Sequence, residues 1–328
     1  MESEASALQL ERREERRIVA PYRDRLEFRI ISEFLVSYAL WITVFIVGLN
    51  GSLPLWVGFL LSAAISATFY MPLHEATHGN IWGSHKRGRF LEDFIGYASS
   101  GPLAVEYWSH RASHMRHHAY TNGPDRDPDF FIQGPLREVP LVWYSTVLIH
   151  TLLPLFIFVP PARRLLPKKA RKENTRRLDS TVSESSSEKT PATADASKQL
   201  QEGKKELRYW GITTSLLLVA FIFGKGLEVF LLWYLPARLG VCWLALVFAW
   251  FPHHPAEKTG RYLDTRVAVF PGSTFLIRGH DYHALHHLFP RVPHYRLPKL
   301  WEVIGPEMTR KGVRTEGRAK GSTGPIIW

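Results

Sequence analysis

Histidines are concentrated in a few short stretches of this chain. Twelve of its fifteen histidines lie in compact groups, and imidazole is a ligand that iron, zinc, copper and nickel accept. An HxxxH motif pairs His74 with His78, and an HxxHH motif occurs twice, at residues 114–118 and 283–287. On a helix, residues three or four positions apart lie on one face. Each motif would therefore direct its imidazoles to one side, which predicts a metal site.

The number of histidines favours two metal ions. The three motifs supply eight imidazoles, whereas a tetrahedral zinc site uses four ligands. The one cysteine, Cys242, cannot form an intramolecular disulfide, a cysteine-ligated zinc site or an iron–sulfur cluster by itself. The ligands must therefore be histidine or carboxylate side chains.

The first motif also fits another reaction class. His74-Glu75-Ala76-Thr77-His78 matches the HExxH pattern of zinc proteases, in which the glutamate is the general base. A membrane zinc metalloprotease is therefore an alternative. It is disfavoured, because such a protease needs only one further ligand and leaves the two HxxHH motifs unexplained.

Long apolar runs must position these motifs. The runs at residues 30–49 and 53–73 each approach the ~20 residues that a helix needs to cross a bilayer. Residues 209–251 are long enough for two more helices, with a turn near residues 224–226. The sequence predicts an all-α integral membrane protein, with about four transmembrane helices in two hairpins and the histidine motifs capping one face.

The distribution of basic residues predicts on which side of the membrane the histidine motifs lie. The chain has 41 basic and 30 acidic residues, and the excess lies beside the apolar runs, as the positive-inside rule describes. This favours a multi-pass protein with its histidine motifs in the cytoplasm, in a membrane that the sequence does not identify, and disfavours nucleic-acid binding. Arg238 is costly at membrane depth, so we expect it to extend outward, or the last helix to begin after Pro236.

The same patterns divide the chain into five segments. These are a polar arm (1–29), a first hairpin with two histidine motifs and an interfacial helix (30–161), a basic and serine-rich disordered loop (162–207), a second hairpin with the last motif (208–305) and a polar tail (306–328). Keeping the run at 140–161 in the interface leaves the basic loop in the cytoplasm.

Three stretches of sequence resemble a known family. HEATHGN, HMRHHAYTNGPDRDPD and HALHHLFPRVPHYRLP resemble the three histidine boxes of the membrane fatty acid desaturase and hydroxylase superfamily, which includes carotenoid ring hydroxylases and ketolases. The resemblance covers about residues 34–306, apart from the loop at 162–207. It implies a four-helix membrane domain with cytoplasmic boxes and a histidine-ligated centre of two irons that activates O₂.

The resemblance also implies a set of ligands. His253 is included because it follows a proline at the end of the last apolar helix, as in the carotenoid enzymes. The expected metal ligands are His74, His78, His114, His117, His118, His253, His283, His286 and His287. Residues expected to support these ligands without binding metal are His110, His280, Glu75, Asp281, Asn122 and Asp125.

The function implied is oxidation of an unactivated carbon–hydrogen bond in a membrane lipid. A fatty acyl desaturase or related hydroxylase is favoured, and a carotenoid ring hydroxylase or ketolase is the alternative. The sequence has no HPGG haem motif of cytochrome b5 and a single cysteine. Electrons are therefore expected from a separate donor, either ferredoxin or cytochrome b5 with its reductase.

Overall fold

The computed structural model describes residues 2–83, 88–168, 171 and 191–328. The helices are α1 Glu2–Val19, α2 Phe28–Leu49, α3 Leu55–Thr68, α4 Tyr70–His78, α5 Phe90–Leu103, α6 Tyr107–Tyr120, α7 Val139–Thr151, α8 Leu153–Phe158, α9 Pro191–Ile222, α10 Gly226–Val229, α11 Leu235–Leu244, α12 Ser273–Leu276, α13 His283–Leu288 and α14 Leu297–Arg310. Short 3-10 turns occur at Ala20–Tyr22, Phe130–Ile132, Leu136–Glu138, Pro160–Leu165, His280–Tyr282 and His294–Arg296. The π-helical segment Phe230–Tyr234 joins α10 to α11, and a second one, Ala245–Trp250, continues α11, so that residues Gly226–Trp250 form one long helix.

Three of the described helices are long and apolar enough to cross a membrane. They are Phe28–Leu49, Leu55–His78 (α3 with α4) and Gly226–Trp250. Ten of the 22 residues of α2 are exposed, including Leu35, Leu40 and Ile46, and an apolar face of this size belongs in lipid rather than in water. The predicted all-α integral membrane fold is confirmed, with three such spans where about four were predicted.

The loops that connect the long helices meet at one end of the molecule. Residues 50–54 join α2 to α3, and residues 223–225 join α9 to α10, with Gly51 and Gly224 in the left-handed backbone conformation. Lys225 Nζ donates to the carbonyl of Leu49 at 3.3 Å. The two helical hairpins therefore turn side by side, and the histidine motifs lie at their opposite end.

The apolar run at 140–161 forms no single long helix. It is divided into α7, of 13 residues, and α8, of 6 residues, both shorter than the ~20 residues of a membrane span. The interpretation that this run lies in the interface therefore remains compatible with the structure.

The predicted disordered loop at 162–207 needs correction at its end. Residues 169, 170 and 172–190 lie outside the described residues, but α9 begins at Pro191. Arg116 on α6 forms an ion pair with Glu202 at 2.7 Å, and the Ser109 hydroxyl donates to the Glu202 carbonyl. These contacts with α6 stabilise a polar helical extension whose composition alone gave no sign of order.

A compact C-terminal module covers the end that carries the histidines. Strands β1 Arg266–Val269 and β2 Arg314–Gly317 pair in parallel, with Arg266 opposite Arg314, and α14 packs against them through Leu300, Trp301 and Met308. The predicted polar tail from residue 306 is therefore an ordered part of this module. Glu15 of the N-terminal arm is also buried here, and it accepts hydrogen bonds from Tyr262 and Lys311.

Both expectations for Arg238 were wrong. The last long helix begins at Gly226 and passes through Pro236, and the Arg238 side chain is buried inside the protein. Proline lacks an N–H donor and its ring collides with the carbonyl four residues earlier. The wider π-helical turn at Phe230–Tyr234, directly before Pro236, accommodates that defect.

Candidate metal centre

Three helices and one turn bring all nine expected ligands together. Helix α4 carries His74 and His78, while α6 and α13 carry three of the expected ligands each, and His253 follows the π-helical segment at Ala245–Trp250. Seven of the nine are buried, and His118 and His287 are half-buried. The helical spacing explains the convergence, because each motif presents its imidazoles on the face that meets the other helices.

Five of these histidines form a group that we call the five-histidine group. Their Nε2 atoms follow one another at 3.1 Å (His74 to His286), 2.9 Å (His286 to His118), 3.1 Å (His118 to His114) and 2.9 Å (His114 to His78). These residues come from all three histidine motifs, so no single motif builds this group.

The remaining four form the four-histidine group. Their Nε2 atoms lie 3.1 Å apart between His117 and His253, 3.0 Å between His253 and His283, and 3.1 Å between His283 and His287. The rings of His118 and His287 stack with their centres 4.2 Å apart. The two groups are therefore adjacent.

Hydrogen bonds alone do not account for these nitrogen contacts. A ring nitrogen of a neutral imidazole carries either one proton or one lone pair. The Nε2 atoms of His114, His118 and His286 each have two nitrogen neighbours at about 3 Å, so one contact of each would be unsatisfied. Two nitrogens bound at right angles to one metal at ~2.1 Å would lie ~3.0 Å apart. The donor sets therefore fit two metal ions, one in each group.

The protonation of the histidines suits metal binding as well. Burial, and after it the neighbouring imidazoles, hold the pKa of His118, His286 and His287 well below the ordinary value. Burial acts to lower the pKa of His117, but the hydrogen bond to Asp127, together with the negative charges of Asp127, Asp129 and Asp264, outweighs it and the pKa is raised. The neutral imidazole is the form that binds metal, and most of this cluster is kept neutral by its surroundings.

Asp127 and Thr121 support the four-histidine group. Asp127 Oδ1 lies 2.8 Å from Nδ1 of His117, and the Thr121 hydroxyl lies 3.2 Å from Nδ1 of His287. A carboxylate on the far nitrogen of a ligand imidazole fixes the ring and its tautomer. Asp127 stands in the DRDPD segment that follows the second motif.

The Asn122 side chain holds the segment that follows His253. Its side-chain amide donates to the backbone carbonyls of Lys258 and Asp264, at 2.8 and 2.7 Å. Asn122 therefore ties the second motif to the segment carrying the last ligand. Asp125 is exposed on the same loop.

The carboxylates of Glu75, inside the first motif, and Asp281, just before the last one, accept hydrogen bonds from neighbouring loops. Glu75 accepts hydrogen bonds from the Asn80 amide at 2.6 Å and from the backbone and ring nitrogens of His294 at 2.9 and 2.8 Å. Asp281 accepts from the hydroxyls of Ser273 and Thr274. Because Glu75 is buried in these contacts, it is not placed as the general base that a zinc protease requires.

His110 and His280 lie beside the ligands without joining the nitrogen contacts. The His280 ring centre is 4.9 Å from that of His74 and 5.0 Å from that of His283, and neither of its nitrogens has a hydrogen-bond partner. His110 stacks on His114 with ring centres 5.5 Å apart. Both residues pack against ligand rings, consistent with a supporting position.

A cavity of about 230 Å³ opens onto both groups. Its wall includes His114 of the five-histidine group, and His117 and His283 of the four-histidine group. Apolar residues from α7, α8 and the helix Gly226–Trp250 form much of the rest, among them Ile149, Leu153, Ile157, Val241, Leu244 and Phe248. Apolar walls of this kind suit an apolar ligand. The cavity is also lined by polar side chains, among them Glu106, Asp129 and Glu206.

Comparisons with known proteins identify relatives over most of the chain. The family model described as fatty acid desaturase matches residues 50–318. An sn-1 acyl-lipid omega-3 desaturase (ferredoxin) of Synechocystis is 25% identical over 274 residues, which cover 76% of this chain and 68% of the relative. An endoplasmic reticulum omega-3 fatty acid desaturase of Nicotiana tabacum is 23% identical and covers 83% and 72% of the two chains.

The name of a third relative gives a different electron donor, cytochrome b5. The acyl-lipid omega-3 desaturase (cytochrome b5) of the endoplasmic reticulum of Arabidopsis thaliana is 24% identical over 258 residues, which cover 71% of this chain and 63% of the relative. All three names describe desaturation of acyl chains.

Proposed function

The chain belongs to the fatty acid desaturase family and is an oxidoreductase, and we propose that it desaturates an acyl chain of a membrane lipid with O₂ and a histidine-ligated diiron centre. The observation that carries this proposal is the placing of both histidine groups on one apolar cavity. The acyl desaturases among its relatives favour this function over oxidation of a carotenoid ring.

The reaction requires an oxidising metal centre. A methylene has no acidic proton and no leaving group, so acid–base and nucleophilic side chains cannot break its C–H bonds. Two irons held by the five- and four-histidine groups would supply the O₂-dependent oxidation. Overall, two hydrogens leave adjacent carbons and O₂ is reduced to two waters, with two further electrons and two protons taken up from outside.

The protein's own part is to position the acyl chain and the imidazoles. Apolar side chains such as Leu244 and Phe248 remove water from the methylenes and align the chain beside His114 and His283. The Asp127 carboxylate fixes the orientation of His117. The wall of the cavity therefore determines which carbons lie next to the metal centre.

The electrons come, in this proposal, from a separate one-electron carrier. The names of relatives include ferredoxin in one case and cytochrome b5 in another, so either class is a reasonable donor here. The net charge of +11 would attract an acidic carrier. Supplying purified protein with reduced ferredoxin or with cytochrome b5 and its reductase, and measuring turnover with each, identifies the donor.

We also propose that the histidine end lies in the cytoplasm of a multi-pass protein. The two connecting segments at the opposite end, residues 50–54 and 223–225, contain one basic residue, Lys225, as the positive-inside rule requires for an outer face. Cys242 is buried, so Ser52→Cys and Asp125→Cys variants can be labelled selectively in intact cells. Labelling of Ser52→Cys alone by an impermeant reagent supports the proposal, and labelling of Asp125→Cys alone contradicts it.

Lipid mass spectrometry tests the reaction itself. The chain is expressed in a host supplied with both fatty acids and carotenoids, beside a His118→Ala variant as the inactive control. Loss of two mass units from an acyl lipid in the wild type alone is the expected result. A gain of sixteen mass units, or a change confined to carotenoids, contradicts the proposed reaction.

A further inference from the structure

Arg238 lies near the middle of a candidate membrane span. Arg238 is on the helix Gly226–Trp250, whose length and composition suit a membrane span, and only 5% of its surface is exposed. A charged side chain at membrane depth is costly, and it is usually paired or placed on a polar cavity. The surroundings of Arg238 therefore indicate what it binds.

The described residues leave much of its guanidinium unused. This group has five N–H donors, yet it makes one long hydrogen bond, from Nη1 to the Tyr234 carbonyl at 3.4 Å. Its Cζ lies 3.6 Å from the centre of the Tyr234 ring, and its Nε is buried without a partner. Among the described residues, no carboxylate lies within ion-pair distance of it. Donors remain for a ligand.

Arg238 lines the same cavity as the metal centre. Val241, Ala245 and Phe248 follow it along one face of the helix and line the cavity with it. At 1.5 Å per residue, Phe248 lies about 15 Å farther along the helix axis. The Phe248 ring is 4.4 Å from that of His280, beside the ligands. The cavity therefore extends from the Arg238 guanidinium at one end to the histidine groups at the other.

An acyl chain matches these two ends. Its methylenes suit the apolar wall, and its oxygen atoms are confined to the carbonyl end. A guanidinium binds oxygen acceptors and can grip a carboxylate with two parallel hydrogen bonds. Resting on the proposed desaturase function, we propose that Arg238 binds the carbonyl end of the acyl substrate and thereby selects which carbon–carbon bond lies at the histidine groups.

The carbonyl oxygen has two sources, a free fatty acid or an ester of a membrane lipid, and a binding measurement distinguishes them. Trp210 lines the cavity, so bromine atoms on a bound chain quench its fluorescence. The probes are dibromostearate, a phosphatidylcholine that carries it, and dibromooctadecane, which has no oxygen. Arg238→Met should weaken binding of one or both oxygen-containing probes about 10- to 100-fold, since a charge-assisted hydrogen bond is lost.

Each result of this measurement has a definite meaning. Weakening confined to dibromostearate identifies the free acid, and weakening confined to the phosphatidylcholine identifies the esterified lipid. Unchanged binding of all three probes, or equal weakening of dibromooctadecane, overturns the proposal. If Arg238→Met does not fold, Arg238→Gln takes its place with the same probes, because it removes the charge and keeps a polar side chain.

The position of the new double bond is the second readout. We expect Arg238→Met to give double bonds at several positions, whereas the wild type gives one. Leu239→Met, at a neighbouring side chain that is 37% exposed, is the matched control and should leave both position and binding unchanged. A single unchanged position in Arg238→Met contradicts the proposal. A wild type that binds the probes through Arg238 but forms no double bond contradicts the proposed function alone.

Discussion

The five-histidine and four-histidine groups hold their imidazoles in different ways. The four-histidine group has a carboxylate behind His117 and a hydroxyl beside His287. Among the described residues, no carboxylate forms an ion pair with a member of the five-histidine group. Nδ1 of His74 in that group, and Nδ1 of His253 and of His283 in the four-histidine group, are buried without a partner. The five-histidine group therefore has one more imidazole, whereas the four-histidine group has side-chain supports at two of its four imidazoles, His117 and His287. The four-histidine group should therefore be the more sensitive to loss of either a ligand or a supporting contact.

Removal of one ligand from each group should have the largest effect. His283→Ala removes the nitrogen that contacts both His253 and His287, while His118→Ala leaves four imidazoles in the other group. We expect turnover to fall to background in both variants. His283→Ala loses one of the two irons that the proposed reaction needs, whereas His118→Ala keeps both irons but changes the ligand set of one of them. Iron content should fall from about two to about one per chain in His283→Ala and remain near two in His118→Ala. Equal iron loss in the two variants would remove the distinction between the groups.

Asp127→Asn should come next. The change replaces a carboxylate that orients His117, and loss of such a partner costs about 10- to 100-fold in metal affinity or activity. Titration of the metal-free protein with ferrous iron should show this loss for one of its two sites. Asp125→Asn, on the exposed part of the same loop, is the matched control. Comparable weakening in the control, or at both sites in Asp127→Asn, would count against the assigned role.

Thr121→Val should have a smaller effect on the same group. It removes one hydroxyl, 3.2 Å from Nδ1 of His287, and a neutral hydrogen bond contributes about 1 kcal/mol, or about fivefold in affinity. The same ferrous iron titration measures it. A larger loss in Thr121→Val than in Asp127→Asn would reverse the order of importance given to the two supports.

Glu75→Gln should affect the chemistry least, although Glu75 lies between two ligands in sequence. Its carboxylate holds Asn80 and His294, so we expect full iron content and turnover close to that of the wild type. Loss of hydrogen bonds to a buried carboxylate should lower the free energy of unfolding by about 1–3 kcal/mol. Thermal unfolding and turnover of the same preparation separate the two effects. Complete loss of turnover with normal stability would restore the general-base interpretation of the HExxH pattern.

The sequence was sufficient for features that depend on spacing along one helix. Positions three and four apart predicted which imidazoles share a face, and the structure brings the nine expected ligands into two groups. The apolar runs predicted the long helices in the same way. The sequence could not assign each histidine to one group, because His117 and His118 are adjacent in sequence yet contact different groups.

Features that depend on tertiary contacts were missed. Arg238 was expected either to extend outward or to precede the last helix, but it lies within that helix and is buried inside the protein. Asp127 reaches His117 because the loop after α6 bends back, with Asn122 in the left-handed conformation. The polar part of α9 is helical because it packs on α6. None of these contacts corresponds to a periodic pattern or a motif in the sequence.

The metal content of the wild-type protein tests the central claim most directly. Protein purified under reducing conditions and analysed by inductively coupled plasma mass spectrometry should contain about two irons per chain, one for each histidine group. One iron per chain, or zinc in place of iron in active preparations, would contradict the account.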